Sequence, residues 1–199
     1  MNEKTDLRVV KTKRDIKSAM ISLLNEKDFR DITVQNVLDR ALINRATFYR
    51  YYKDKYDLAD QLCASCLDGA RKILDEQLNM RRPGGPIGAA QKLYDYMLCE
   101  KNTIDALSKV KTEKADLYES FRALLKSSCL AFLNTNRPEL SAEFTGYSAA
   151  LYAAAVLTTI DWLAENTKSA SLSESEKEAL ASNTFHQLSR VLDGIFKAE

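Results

Sequence analysis

The chain has 199 residues, with 29 lysines and arginines against 28 aspartates and glutamates, one histidine and four cysteines. That length accommodates one large or two small domains, and a net charge of +1 excludes a partner held by bulk charge alone. Six glycines, three prolines, little Val-Thr-Ile alternation and apolar residues recurring at helical spacing make it an all-α chain.

The first predicted helix runs from Thr12 to Glu26, with Ile16, Ala19, Met20, Leu23 and Leu24 as its apolar stripe. Arg8, Lys11, Lys13 and Arg14 precede or open it and read as an arm able to reach a groove or a phosphate; for residues 1–8 a solvated tail is an equal alternative. The N-terminus carries charge without an apolar core, so it does not read as a secretory signal. Phe29 and Ile32 then cover a small core.

Thr33 is placed to cap a helix whose apolar positions are Val34, Val37, Leu38 and Ala41. A break follows at Leu42–Ile43, and Asn44 is placed to cap a second, very short helix, RATFYRYY. Two helices joined by a tight turn fit a helix-turn-helix, with the second helix entering the major groove. Arg45, Thr47, Tyr49, Arg50 and Tyr51 all carry donors, while Phe48 and Tyr52, four apart, both face inward. So short a helix gains little as a purely structural element, whereas donors over buried aromatics suit phosphate and base-edge contact. The alternative is a solvated surface helix rich in Tyr and Arg. Charge supports the first reading: from Arg8 to Lys55 there are twelve cations and six acids, so the rest of the chain is net acidic.

At Ala41, Leu42, Ile43, Asn44, Ala46, Tyr49, Tyr52, Lys55 and Leu58 the chain resembles the TetR family of transcriptional regulators. The resemblance is specific from Thr12 to about Leu62; beyond that it rests on length and helical organisation. Leu42 departs from the usual turn glycine and Ala46 from a frequent one. A positive φ at Leu42 would be strained, because Cβ clashes there. The resemblance implies a prokaryote-type cytoplasmic regulator, and phosphate contacts by Thr33, Tyr49 and Lys55. Asn44, Thr47, Arg45, Arg50 and Tyr51 join the DNA-binding set on geometry, with Arg45 reading a base.

A long helix from Lys55 to about Asn79 follows, striped by Leu58, Leu62, Cys66, Ala70, Ile73 and Leu74, and reads as a lever between a DNA module (1–54) and an effector-binding and dimerisation body (55–199). Arg81-Arg82-Pro83-Gly84-Gly85-Pro86 is the clearest breaker. Body helices are expected near 87–100, 103–110, 114–135, 138–166 and 173–197. Asn136 and Pro138 would open the fourth, and Ser171 or Ser173 would cap the last. The run Gly146 to Leu163 is long and apolar, but its Tyr, Ser, Thr and Asp161 make it a buried helix rather than a membrane span. Together with the last helix it leaves surplus apolar surface, assigned to a homodimer interface at Tyr147, Leu151, Leu188, Val191, Leu192 and Ile195.

Tyr94, Met97, Tyr118, Phe121, Tyr152 and Trp162 are candidates to line an effector pocket for a small apolar or aromatic molecule, ordinary core being the alternative for each. Cys63 and Cys66 form a CxxC pair; on an apolar helix stripe they read as core, with thiol redox sensing as the lesser reading. His186 has no partnered nucleophile, and no phosphate loop, nucleophile elbow or paired-His motif occurs, so no catalytic, metal or cofactor site is expected. The expected function is a dimeric repressor on a palindromic operator in double-stranded DNA, released by its effector. A body that docks a protein partner is the alternative.

Overall fold

A computed structural model describes residues 7–79, 85–112, 116–167 and 172–196. Among them there is no strand. The helices are α1 (Leu7–Glu26), α2 (Val34–Ala41), α3 (Arg45–Tyr49), α4 (Lys55–Asn79), α5 (Gly85–Cys99), α6 (Lys101–Leu107), α7 (Leu117–Asn136), α8 (Ala142–Asn166) and α9 (Glu174–Phe196), with a 3-10 turn at Phe29–Asp31. They form two compact units: Met1–Cys66 with Glu100–Tyr118, and Leu67–Cys99 with Glu119–Glu199. Packing therefore divides the chain differently from the boundary expected after residue 54. The first turns of α4 and the whole of α6 belong with α1–α3.

In the first unit, Ile16, Met20, Leu24, Ile32, Val37, Phe48 and Leu58 are almost wholly buried. α6 is fixed to α1 by polar links at both ends. Lys17 Nζ meets Glu100 at 3.5 Å, Asn25 donates to Asn102 at 3.0 Å, and Lys109 Nζ donates to the Leu24 carbonyl at 3.2 Å, one of those α1 leaves unpaired. α1 starts at Leu7, earlier than expected. The sequence Arg8–Thr12 has no apolar stripe but contains no helix breaker, and the Thr12 hydroxyl donates to the Arg8 carbonyl at 2.8 Å.

In the second unit, α8 buries Thr145, Ser148, Ala149, Tyr152, Ala153, Val156, Leu157, Ile160 and Leu163. By length and composition α8 could cross a membrane, but these residues pack inside the unit, as the sequence suggested. It begins later than expected. Ser141, whose hydroxyl accepts from Phe144 N at 3.3 Å, is the cap, so Pro138 lies in the preceding loop and Asn136 ends α7, donating to the Phe132 carbonyl at 2.8 Å. Ser173 and Glu176 cap α9 reciprocally, with Glu176 accepting from Ser173 N at 2.7 Å. The expected breaker at 81–84 and the alternative cap Ser171 lie outside the described residues.

Candidate nucleic-acid interface

α2 starts where Thr33 reverses the chain. Its hydroxyl accepts from Asn36 N at 3.2 Å while Asn36 Oδ1 accepts from Thr33 N at 3.0 Å, a reciprocal capping box. Lys27 Nζ adds a 2.8 Å hydrogen bond to the same Asn36 oxygen. Thr33 stays exposed, and its own hydroxyl proton remains available beside the positive end of α2. At the far end, Arg40 forms a bidentate pair with Glu26, both bonds 2.7 Å, tying α2 to the end of α1. The guanidinium holds the Glu26 carboxyl below its ordinary range.

The turn between α2 and α3 passes through Leu42 at φ 53°, ψ 43°. This is the left-handed region that a glycine occupies without strain, and Leu42 is the one non-glycine there among the described residues. Its side chain is 92% exposed, so no burial offsets the strain.

α3 is shorter than the expected eight-residue stretch. After Tyr49 the chain tightens, with Tyr51 N and Tyr52 N both donating to the Phe48 carbonyl at 2.9 and 3.0 Å. Arg50 and Tyr51 therefore sit in the turn that follows. Phe48 and Tyr52 are buried with their ring centres 5.6 Å apart and tilted at 45°, the inward anchors expected from their spacing. Arg45, Tyr49 and Arg50 are exposed on the other side. The Arg45 guanidinium lies 5.9 Å over the Tyr49 ring, which limits its excursions without removing its N–H donors. Asn44 caps α3: its Oδ1 accepts from Thr47 N at 2.8 Å and from the Thr47 hydroxyl at 2.9 Å. Thr47 was expected to donate to DNA, but its one hydroxyl proton is committed to this cap. What remains is its methyl group, which suits a thymine methyl.

Lys55 also differs from expectation. Its ammonium donates to the carbonyls of Phe29, Arg30 and Ile32 at 2.9, 2.9 and 2.7 Å, which uses all three N–H bonds. It also sits 4.9 and 5.3 Å from the ring centres of Phe29 and Tyr56. Burial pushes its pKa down. Lys55 thus closes the 3-10 turn before Thr33, with all three of its N–H bonds committed there. The sequence shows a lysine at the right spacing but not the carbonyls that the turn aims at it.

A profile of "Bacterial regulatory proteins, tetR family" matches residues 16–62, the stretch that builds α1 to the start of α4. Over those residues the chain is similar to the TetR family. Over 59 residues, 30% of this chain and 16% of the other, it is 29% identical to the uncharacterized HTH-type transcriptional regulator YxbF of Bacillus subtilis (strain 168). The whole fold resembles a TetR transcriptional regulator from Streptococcus agalactiae 2603V (TM-score 0.58, 21% identity, 92% of this chain and 96% of that one). It also resembles a gamma-butyrolactone receptor, an ArpA-like protein (TM-score 0.55, 14% identity, 94% and 100%).

The body candidates separate into groups. Tyr94, Phe121 and Tyr152 are buried in the second unit and Met97 is half-buried there. Tyr94 packs edge-on against Phe185 at 5.7 Å, and Tyr152 against Phe196 at 5.7 Å. The Tyr152 hydroxyl donates to the Pro86 carbonyl at 2.8 Å. Tyr118 falls in the first unit and Trp162 is 44% exposed on α8, so neither joins that buried aromatic set. Of the candidates for a dimer face, Tyr147, Leu151 and Val191 are exposed. Leu188 and Leu192 are buried within the chain's own second unit, because they fall on the side of α9 that faces its neighbours. The side chain of Ile195 lies outside the described residues. Phe144 was not foreseen at this face; with Tyr147, Leu151 and Trp162 it falls on one exposed side of α8 by the helical period.

Cys63 and Cys66 are buried on α4. Burial pushes the Cys63 thiol up to about 11 and raises that of Cys66, the reverse of what a reactive thiolate needs. Among the described residues no group of three or more His, Cys, Asp or Glu is placed to hold a metal ion.

Proposed function

We propose that this chain is a dimeric transcriptional repressor that reads a palindromic operator in double-stranded DNA and is released by a small apolar or aromatic effector. The observation that carries this is the α3 face: Arg45, Tyr49 and Arg50 exposed over a buried Phe48–Tyr52 pair, at the end of a capped helix-turn-helix. Arg45, at the first turn of α3, reads a base, with guanine the natural partner of a guanidinium. The Thr33 hydroxyl with the N-terminus of α2, the Asn44 amide, Arg50 and the hydroxyls of Tyr49 and Tyr51 bind phosphates. These contacts fix register; Arg45 supplies sequence information.

Two recognition helices at successive major-groove faces, roughly 34–36 Å apart, require a dimer. The exposed stripe Phe144, Tyr147, Leu151 and Trp162, with Val191 on α9, supports that assembly, since so much apolar surface in a row marks an interface. The effector would sit in the body among Tyr94, Phe121 and Tyr152, which are buried there beside the half-buried Met97. The effector acts by binding one arrangement of α4 more tightly than the other, and so changing recognition-helix spacing. The site of action is the cytoplasm, where the operator is. A second reading, a body that docks a partner protein, draws on the same α8 stripe.

The test is selection from a random palindromic DNA library followed by a fluorescence-anisotropy titration across a salt series. Enrichment of one palindrome, bound as two chains per site, supports the proposal. Weak, sequence-independent binding by a monomer shifts the reading to the docked partner. Arg45→Ala is expected to relax discrimination at one operator position, whereas equal loss on operator and random DNA would remove it from base readout.

A further inference from the structure

Resting on the DNA-binding reading above, we infer that the N-terminal half of α1 is a rigid second DNA-contact element that grips backbone phosphates beside the recognition helix. Three observations bear on it. First, residues 7–14, LRVVKTKR, carry four cations and no acid, the densest single-sign stretch of the first unit. Second, this stretch is helix and not a loose arm: α1 begins at Leu7, whereas its first wholly buried residue is Ile16, so ~13 Å of helix projects past the core. Leu7, Val10, Lys11 and Arg14 fall on one exposed face. Third, its direction is fixed. The Lys13 ammonium sits 5.5 Å over the ring of Tyr51, two residues beyond α3, which holds the basic end of α1 against the recognition segment.

Continuity with the α3 face and charge complementarity identify the occupant as the phosphate backbone flanking the groove that α3 enters. Acids flank the stretch in sequence at Asp6 and Asp15; Asp15 pairs with Arg14 at 3.5 Å, and both remain solvent-exposed enough for that pair to open at little cost. Leu7 and Val10, 82% and 49% exposed, lie beside the cations and meet the C–H edges of the sugars. Holding cations on a helix, rather than on a coil, removes the ordering entropy a free arm loses on binding.

The experiment measures operator affinity against salt for the wild-type chain, the charge variant Arg8→Gln/Lys11→Gln and the helix-breaking variant Thr12→Pro, which keeps every cation. Each lost phosphate contact lowers the slope of log affinity against log salt by about 0.9. The charge variant removes two cations per chain, four per dimer, and is expected to lose up to about 3.6 in slope and to weaken operator and random DNA alike, with an unchanged melting temperature. An unchanged slope overturns the inference. Thr12→Pro is expected to weaken binding although its charge is intact; wild-type affinity there would show a flexible arm and overturn the rigid element. A wild-type chain with no salt-dependent DNA binding overturns the underlying DNA-binding reading as well, and is distinguished by appearing before any substitution is made.

Discussion

In the first unit, Thr33, Asn36, Asn44, Arg40 and Lys55 each meet a definite polar partner on the backbone or a neighbouring helix. In the second, α8 and α9 are held chiefly by apolar faces, and α8 keeps a second apolar stripe in solvent. The difference follows from helix length. A helix of five or eight residues leaves most of its end groups unpaired and buries little, so it persists only with caps and locks. A helix of 25 residues is stabilised by burial and tolerates loose specification of its surroundings.

That contrast predicts unequal responses to substitution. The largest is Phe48→Ala, which empties the fully buried anchor of α3 and is expected to cost about 3–5 kcal/mol. Hydrogen exchange should then show α1–α3 unprotected while α8 and α9 keep their protection; equal loss in both would mean the units do not differ as described. Next is Lys55→Met, which leaves three carbonyls without their donor and should cost about 2 kcal/mol in denaturant unfolding. Its salt slope of DNA binding should match wild type, because the three N–H bonds of the ammonium are committed to carbonyls.

For the body, Tyr147→Glu places a charge in the exposed α8 stripe and should weaken self-association by at least tenfold, read by sedimentation equilibrium, with folding unchanged. A chain that dimerises normally would assign the stripe to another partner. Leu42→Gly relieves the left-handed turn and is expected to add about 1 kcal/mol, raising Tm by a few degrees. Smallest in structural effect is thiol labelling at pH 8. Exposed Cys99 should react readily, while the buried Cys63 and Cys129, raised to about 11 and about 12, should stay protected until the chain unfolds. Rapid native-state labelling of Cys63 would revive the redox reading.

Much of the first unit could be read from the residues. Thr33 and Asn44 as caps, and Phe48 with Tyr52 as anchors, follow from local spacing, since a cap and an i, i+4 pair involve residues a few positions apart. The readings that changed depend on distant chain. Lys55 looked like a phosphate ligand because nothing local shows that Phe29, Arg30 and Ile32 turn their carbonyls toward it. Thr47 looked like a donor because its rotamer is set by the cap it joins. In the body, the apolar character of α8 and α9 was legible, but of Tyr147 and Leu188, both expected at the dimer face, one is exposed and the other buried within its own unit, according to how each helix is rotated there.

By itself the sequence determined the all-α class, the helix-turn-helix, its caps and the TetR resemblance, because each rests on short-range periodicity or on hydrogen bonds closed within one turn. Only the tertiary structure decided that α6 packs with α1, that Lys55 locks a turn, that the basic end of α1 is a helix pinned beside Tyr51, and which apolar stripe α8 leaves uncovered. Those outcomes depend on which helix faces meet, and hydrophobic burial is non-directional: it dictates that a face be covered without naming what covers it.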